Sequence, residues 1–264
     1  MGSDITVIIP VHEIDSSTEG LYANAITSLA EQEVLAEEVL IVVPAKSDAE
    51  KFVSAFDYGD IKDSVRIIKN TGKTDFASQF NLGVEESNTD WVSFLEYDDE
   101  FSKIWLKHAV AYRECYDDID MFLPIVVDKT HDNKFIGFTN EAVWAHEFSD
   151  ELGIIDENAL LMYQNFNIDG MVVRKEILED FGNIKSNIKL TFIYEFLLRM
   201  AHNGMRIMTI PKFGYKHINL RPSGLFDSYK KDMTPDEHKF WMTKARKEYF
   251  HTTEREITYT PEQK

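Results

Sequence analysis

The sequence predicts an α/β fold: a mostly parallel Rossmann-like sheet flanked by helices, with a C-terminal helical extension. Two observations carry that prediction. Short β-branched runs alternate with helix-spaced segments four times in the first hundred residues, the pattern of a parallel sheet with right-handed crossovers. The fourth run, Trp91 to Leu95, then breaks into Glu96, Tyr97, Asp98, Asp99 and Glu100. That acidic cluster falls where open α/β sheets hold ligands, outside the carboxyl end of a strand.

Taken in order, Ile5 to Val11 (ITVIIPV) is a β-branched run broken by a proline near its end and reads as a central strand. Ser16, Ser17 and Thr18 offer N-caps for a helix through Glu33, with Leu21, Ala25, Ile26 and Leu29 at helical spacing. Glu38 to Val43 is the second strand, Ser47 to Phe56 the second helix, Val65 to Ile68 the third strand and Asp75 to Ser87 the third helix. Beyond the acidic cluster, Phe101 to Tyr116 reads as a helix and Asp120 to Val127 as a strand. Asp128 to Gln164 is irregular, acidic and rich in aromatics. Met171 to Arg174 is a short strand, and Lys175 to Phe181 and Phe192 to Asn203 are helices. Asn203-Gly204 is a helix stop before a strand at Arg206 to Ile210. From Pro235 to His251, Phe240, Trp241, Ala245 and Tyr249 recur at helical spacing and predict an aromatic face packed on the body.

A chain of 264 residues suffices for one large α/β domain. Its formal net charge of -18 repels nucleic-acid phosphate and anionic lipid at long range, so duplex binding would need a local basic patch. A small anionic ligand would need a cationic pocket or a metal. Cys115 is the single cysteine, which rules out an intrachain disulfide. No basic leader with a long apolar segment opens the chain and no run of about 18 apolar residues occurs, so a soluble, cytoplasmic protein without a transmembrane segment is expected.

An acidic run by itself is usually solvated surface. Here it terminates a strand, and carboxylates held this close repel one another unless a divalent cation offsets the charge, leaving positions open for phosphate oxygens.

In order and spacing these segments resemble the inverting glycosyltransferases of family 2, built on the GT-A fold, over roughly residues 5 to 223. The likeness rests on ITVIIPVHE (Ile5 to Glu13), SLAEQEVLAEEVLIVV, NTGKTDFASQFNLGVEESNTDWVSFLEYDDE (Asn70 to Glu100), IYEFLLRMAHNG (Ile193 to Gly204) and HINLRPS (His217 to Ser223). It implies a GT-A domain over residues 1–223, with a nucleotide-binding half at 1–100 and an acceptor-binding half at 101–223, followed by a helical tail at 224–264. It further implies transfer of a sugar, with inversion, from a nucleotide-diphosphate sugar of the uridine type to an acceptor hydroxyl.

Residue by residue, the resemblance implies that Asp98 ligates Mn2+ or Mg2+ at the diphosphate, with Asp99 beside it and His217 completing the shell. It gives Glu96 to the ribose or the metal's water shell, and Pro10, Glu13, Lys73, Asn81 and Arg221 to the donor nucleotide. Arg199 is a further cation available for phosphate. The chain departs from the family in three places. Glu96 replaces the usual aspartate. Val43 is followed by Pro44, Ala45 and Lys46 where an aspartate is usual, which leaves Asp48 or Lys73 to substitute. Phe192 and Ile193 stand where the family commonly has a Glu-Asp pair.

Inverting transfer needs a carboxylate to take the acceptor proton, and the candidates are Glu195 and Asp169. The alternative for Glu195 is an i, i+4 helix pair with Arg199. Trp144, His146, Phe148, Tyr163 and Phe166 are the expected platform for an acceptor glycan, protein side chain or modified nucleic-acid base. A second reading is a sugar-nucleotide or glycan-binding protein that kept the scaffold and lost the base. A nucleotidyltransferase would show a glycine-rich, basic loop after the first strand, which VHEIDSSTEG lacks.

Overall fold

The computed structural model describes residues 3–219 and 231–261. Its strands are β1 (Ile5–Pro10), β2 (Glu38–Pro44), β3 (Val65–Asn70), β4 (Trp91–Phe94), β5 (Glu100–Phe101), β6 (Met121–Thr130), β7 (Phe135–Thr139), β8 (Ile154–Ile155), β9 (Val172–Arg174) and β10 (Ile207–Asn219). The helices are α1 (Glu19–Ala30), α2 (Asp48–Ala55), α3 (Phe76–Glu86), α4 (Trp105–Cys115), α5 (Glu157–Met162), α6 (Lys175–Phe181), α7 (Phe192–His202) and α8 (Pro235–Glu248). One mixed sheet runs β3-β2-β1-β4-β9-β6-β10-β5, with β7 beside β6 and β8 beside β10. The first four strands pair parallel, as the alternation of strand and helix requires, and β9 enters antiparallel between β4 and β6.

Strand β1 is buried at every residue because β2 and β4 flank it and helices cover both faces. Its side chains alternate between two cores. Ile8 packs with Phe80, Val84 and Phe94, while Ile9 joins Tyr22, Leu29 and Val43. Gly83 lets α3 cross β1 closely, since a methyl group there would lie 2.4 Å from Ile8 Cγ2. Side-chain caps start α2 and α3, where Ser47 accepts from Glu50 N and Asp75 from Ser78 N, whereas α1, for which Ser16, Ser17 and Thr18 were the expected caps, has no side-chain cap.

Several boundaries differ from the sequence reading, each for a local reason. Helix α1 starts at Glu19, because the Asp15 carboxylate takes the backbone N–H groups of Ser17 and Thr18 and holds that stretch as a turn. Phe101 belongs to β5, paired with Tyr215, so the following helix begins only at Trp105. The segment from Asp128 is ordered structure rather than irregular chain: β6 continues to Thr130 and turns back through β7, and α5 follows from an Asp156 cap. The last strand does not stop at Ile210 but runs to Asn219. Pro211 cannot donate to the ladder, and register shifts between Ile210 and Tyr215 let the pairing with β6 resume beyond it.

The C-terminal element packs into the same core. Trp241 and Ala245 of α8 and Tyr249 just after it pack in the layer of α7, and Thr191 Oγ1 donates to Trp241 O at 2.9 Å. Beyond α8, the Lys185 ammonium donates to the carbonyls of Glu248 (2.8 Å) and His251 (2.6 Å). Gly182, at φ +85°, presses on the chain there, since a Cβ would meet Thr252 O at 2.2 Å. No helix among the described residues is long and apolar enough to cross a membrane.

Candidate functional site

The acidic cluster after β4 is held in place by β10. Leu95 N still donates to Ile8 O (3.1 Å), and the chain then turns, with Asp99 N donating to Glu96 O at 3.2 Å. The buried Tyr215 hydroxyl accepts from Glu96 N (3.0 Å) and donates to Asp99 Oδ2 (3.0 Å). Asp99, fully buried, also accepts from Ile218 N at 2.7 Å and lies 2.9 Å from His217 Nδ1. Asp99 thus clamps the turn to β10 and orients the histidine, with both of its oxygens engaged.

A loop from the other half brings Asp169 to the same place. Asn140, in the left-handed region at φ 74°, donates to Pro124 O (3.0 Å) and Asn167 O (2.9 Å), while its own oxygen accepts from Asn167 N (2.8 Å). Gly170, at φ +72°, leaves room for Tyr215, whose Cδ2 would lie 2.8 Å from an added Cβ. These contacts fix buried Asp169, which accepts from Asn167 Nδ2 and has Oδ2 3.5 Å from His217 Nδ1. Asp128 lies across from His217 in the β6–β10 register, its carboxylate accepting from Thr139 Oγ1 at 2.9 Å.

His217 therefore stands among carboxylates. Burial alone would lower its pKa, but Asp99, Asp169 and Glu96 outweigh burial and hold it well above the ordinary value. Burial raises Asp169 well above the carboxylate range; His217 offsets part of this, and Glu96, Asp99 and Asp128 add to it. Asp128 is also raised, chiefly by burial. Burial, with Asp99, Asp169 and Glu96 nearby, keeps Tyr215 protonated and hence a donor.

Two groups of side chains, Glu96/Asp98/Asp99 and Asp99/Asp169/His217, have ligand atoms within 4.8 Å of one another. Carboxylate oxygens with one imidazole form a donor set suited to Mn2+ or Mg2+, so the residues present fit the expected cation.

The loop after β1 adjoins this cluster. Pro10 closes β1 opposite Val42, Gln79 Nε2 donates to Val11 O (3.0 Å), and His12 meets Tyr97 edge-on with ring centroids 5.1 Å apart. Glu13 and Lys73 are exposed on the loops at that end. Asn70 braces the Lys73 loop by donating to Lys73 O (2.7 Å) and accepting from Gly72 N (2.7 Å).

Other expected site residues are elsewhere. Glu195 is fully buried, with Oε1 2.8 Å from Lys185 Nζ and 2.9 Å from Arg199 Nε, and Oε2 3.2 Å from Arg199 Nη2. The carboxylate expected as a base thus makes the i, i+4 pair with Arg199 that was its alternative, and Lys185 adds a second cation. Arg199 in turn donates to the carbonyls of Phe181, Gly182 and Asn183 and is not a phosphate ligand. Asn81 donates to Ile184 O at 2.8 Å, tying α3 to the chain after α6. Asp48 is exposed on α2 beside Lys51. Arg221 lies outside the described residues.

Of the expected aromatic platform, Phe148, Tyr163 and Phe166 pack edge-on against one another, and Trp144 donates to Thr209 O at 3.1 Å. They form a partly buried cluster, while His146 is exposed.

Sequence reasoning missed Tyr215 and Asp128. Asp128 had a signal, since it ends an apolar run as Glu96 does; Tyr215 had none, because the last strand was expected to stop short of it.

A family model described as "Glycosyl transferase family 2" matches residues 6–181. Among solved structures, residues 1–349 of S. aureus TarS in complex with UDP-GlcNAc match at a TM-score of 0.67 and 15% identity, over 93% of this chain and 65% of that one. The same protein in complex with UDP matches at 0.61 and 15% identity, over 95% of this chain and 72% of that one. The chain thus spans just under two thirds of the first of these structures. No curated protein matches the sequence.

Proposed function

Because the chain belongs to glycosyl transferase family 2, we propose that it transfers a sugar, with inversion, from a UDP-linked donor to an acceptor hydroxyl. The observation that carries this reading is the convergence of Glu96, Asp98, Asp99, Asp169 and His217 at one end of the sheet, next to the loops of Pro10, Glu13 and Lys73. The UDP-GlcNAc bound by TarS supports the uridine type of donor.

Asp98 with Asp99 and Glu96, and His217, which shares Asp99 with a second such group, would hold Mn2+ or Mg2+, which when bound neutralises charge on the departing diphosphate. Asp99 orients His217 and fixes the turn. Lys73 and Arg221 are the cations assigned to the phosphates.

Asp169 is the base. The acceptor oxygen bonds to the anomeric carbon as the bond from that carbon to the phosphate oxygen breaks, its electron pair leaving with the diphosphate. The hydroxyl proton passes to the Asp169 carboxylate, whose charged form the neighbouring His217 favours against the effect of burial.

The test is a thermal-shift screen of nucleotide sugars with and without Mn2+, followed by assay of UDP release. Failure of every uridine sugar to stabilise the protein overturns the donor assignment.

One observation favours a second reading, a binding protein without transfer. Phe192 and Ile193 fill the positions resembling the family's Glu-Asp pair, and Phe192 is buried against Phe76 with centroids 5.7 Å apart. Manganese-dependent UDP-sugar binding with no release, even at high protein concentration, would select that reading.

A further inference from the structure

Four of the nine large apolar side chains exposed among the described residues lie together: Phe135 (58%), Ile136 (45%), Phe138 (40%) and Phe213 (55%). Phe138 pairs with Val127 and Phe213 with Ile125, one register position away from the pairs Asp128–His217 and Val126–Tyr215. Their side chains therefore leave the sheet on the face opposite the acidic cluster. Phe138 and Phe213 stack at 5.1 Å with ring planes 14° apart, and Phe135 leans on Phe138 at 4.9 Å. The result is one continuous apolar surface running from the β6–β7 hairpin onto β10.

Its charge runs against that of the chain. Residues 129–138 and 212–216 carry Lys129, Lys134, Lys212 and Lys216 and a single carboxylate, Asp132, in a protein of net charge -18. Lys134 pairs with Asp132, and Lys216 with Glu100 from β5, whereas Lys129 bonds only the neutral amide of Asn133 among the described residues. The positive field of Lys212 reaches His108 and helps to lower its pKa, after burial.

This combination narrows the occupant. Two copies meeting through the same patch would bring two sets of Lys129 and Lys212 into one interface. Protein interfaces are depleted in lysine, while phenylalanine flanked by lysine is the composition of surfaces that lie in the headgroup layer of a bilayer. We propose that this face docks on an anionic lipid surface, with Phe135, Ile136 and Phe138 entering the headgroup layer and Lys129 and Lys212 meeting lipid phosphate. Docked so, the acidic cluster sits on the far face of the same strands.

The test is co-sedimentation of the full chain with vesicles of phosphatidylcholine alone and of phosphatidylcholine with phosphatidylglycerol in equal amounts. The wild type should bind the anionic vesicles at least about tenfold more strongly than the neutral ones. The Phe135→Ser, Phe138→Ser double variant should lose binding to both, with an unchanged melting temperature, because neither side chain is in the core. Lys129→Glu with Lys212→Glu keeps the aromatics and should abolish only the preference for anionic vesicles, an arm that stands even if the first variant folds poorly.

No binding to anionic vesicles by the wild type overturns the proposal, as it would if the partner were an acidic protein. So does a dimer in light scattering that the Phe135→Ser, Phe138→Ser variant converts to monomer.

Discussion

Arg199 and Glu195 face each other across one turn of α7 with neither side chain exposed, the guanidinium Nε 2.9 Å from Oε1 of the carboxylate. The pair carries the charge of a catalytic group without its access, and Lys185 closes the third side at 2.8 Å.

Replacing Glu195 by Gln should therefore act on stability. Removing one partner from a buried ionic network leaves the others uncompensated, which costs about 3–5 kcal/mol. Chemical denaturation reads this directly, and turnover per folded molecule should stay near wild type. A large fall in turnover at unchanged stability would return the base to Glu195.

Asp169→Asn should do the opposite. The amide keeps the shape but cannot take a proton, so turnover should fall about a hundredfold or more while donor affinity barely changes. The pair of variants separates chemistry from architecture, and retention of full activity by the Asn variant would remove Asp169 from the mechanism.

Asp98→Ala is expected to abolish Mn2+-dependent binding of UDP without unfolding the protein, since the residue lies beyond β4 rather than in a packed strand. Calorimetric titration with and without Mn2+ checks it. If Asp99→Ala also loses binding, it should lose melting temperature as well, because Asp99 ties the turn to Tyr215, His217 and Ile218.

Tyr215→Phe removes one hydroxyl that serves both ends of the acidic turn. Glu96 N loses its acceptor and Asp99 one of its donors, which should cost about 1–3 kcal/mol and weaken donor binding together. A change in neither would show that the turn is held by other contacts.

Stability without metal should depend on pH through His217. The unfolded histidine titrates near 6.5 and the folded one well above, so the folded state favours the proton. That stabilisation is complete below pH 6.5 and is lost as the pH rises through the raised value. Asp169, also raised, acts with the same sign from its ordinary 3.8 upward. Denaturation midpoints measured in the presence of a chelator should fall between neutral and alkaline pH, and His217→Gln should flatten that slope.

In the parallel half of the sheet β1, β2 and β4 were legible because they are buried on both faces and so read as apolar runs, while β3, half-exposed at the sheet edge, was legible from its short β-branched core before a capped helix. The carboxylates at its edge were legible for the same reason: Asp98 and Asp99 interrupt a run that had no need of charge. What stayed hidden depends on pairing between distant segments. Nothing local to Phe101 says that it joins Tyr215 in a strand, or that Pro211 falls at a shift in register rather than at a strand end. Glu195 shows the limit from the other side. Its spacing to Arg199 was visible, but Lys185, which completes the enclosure, comes from the preceding loop and could be seen only in three dimensions.

The ammonium of Lys185 has three protons, and its three acceptors are Glu195, Glu248 O and His251 O. Two of these are made more than sixty residues after the lysine itself. While the chain is still on the ribosome, β1 to β4 can pair with one another, since all four lie in the first hundred residues. The α7 layer cannot close before residues 248–251 have emerged, since burying Lys185 earlier would strand two unmet donors. Synthesis therefore sets an order of assembly in which the end of α8 and the chain just after it commit the α7 layer to its fold.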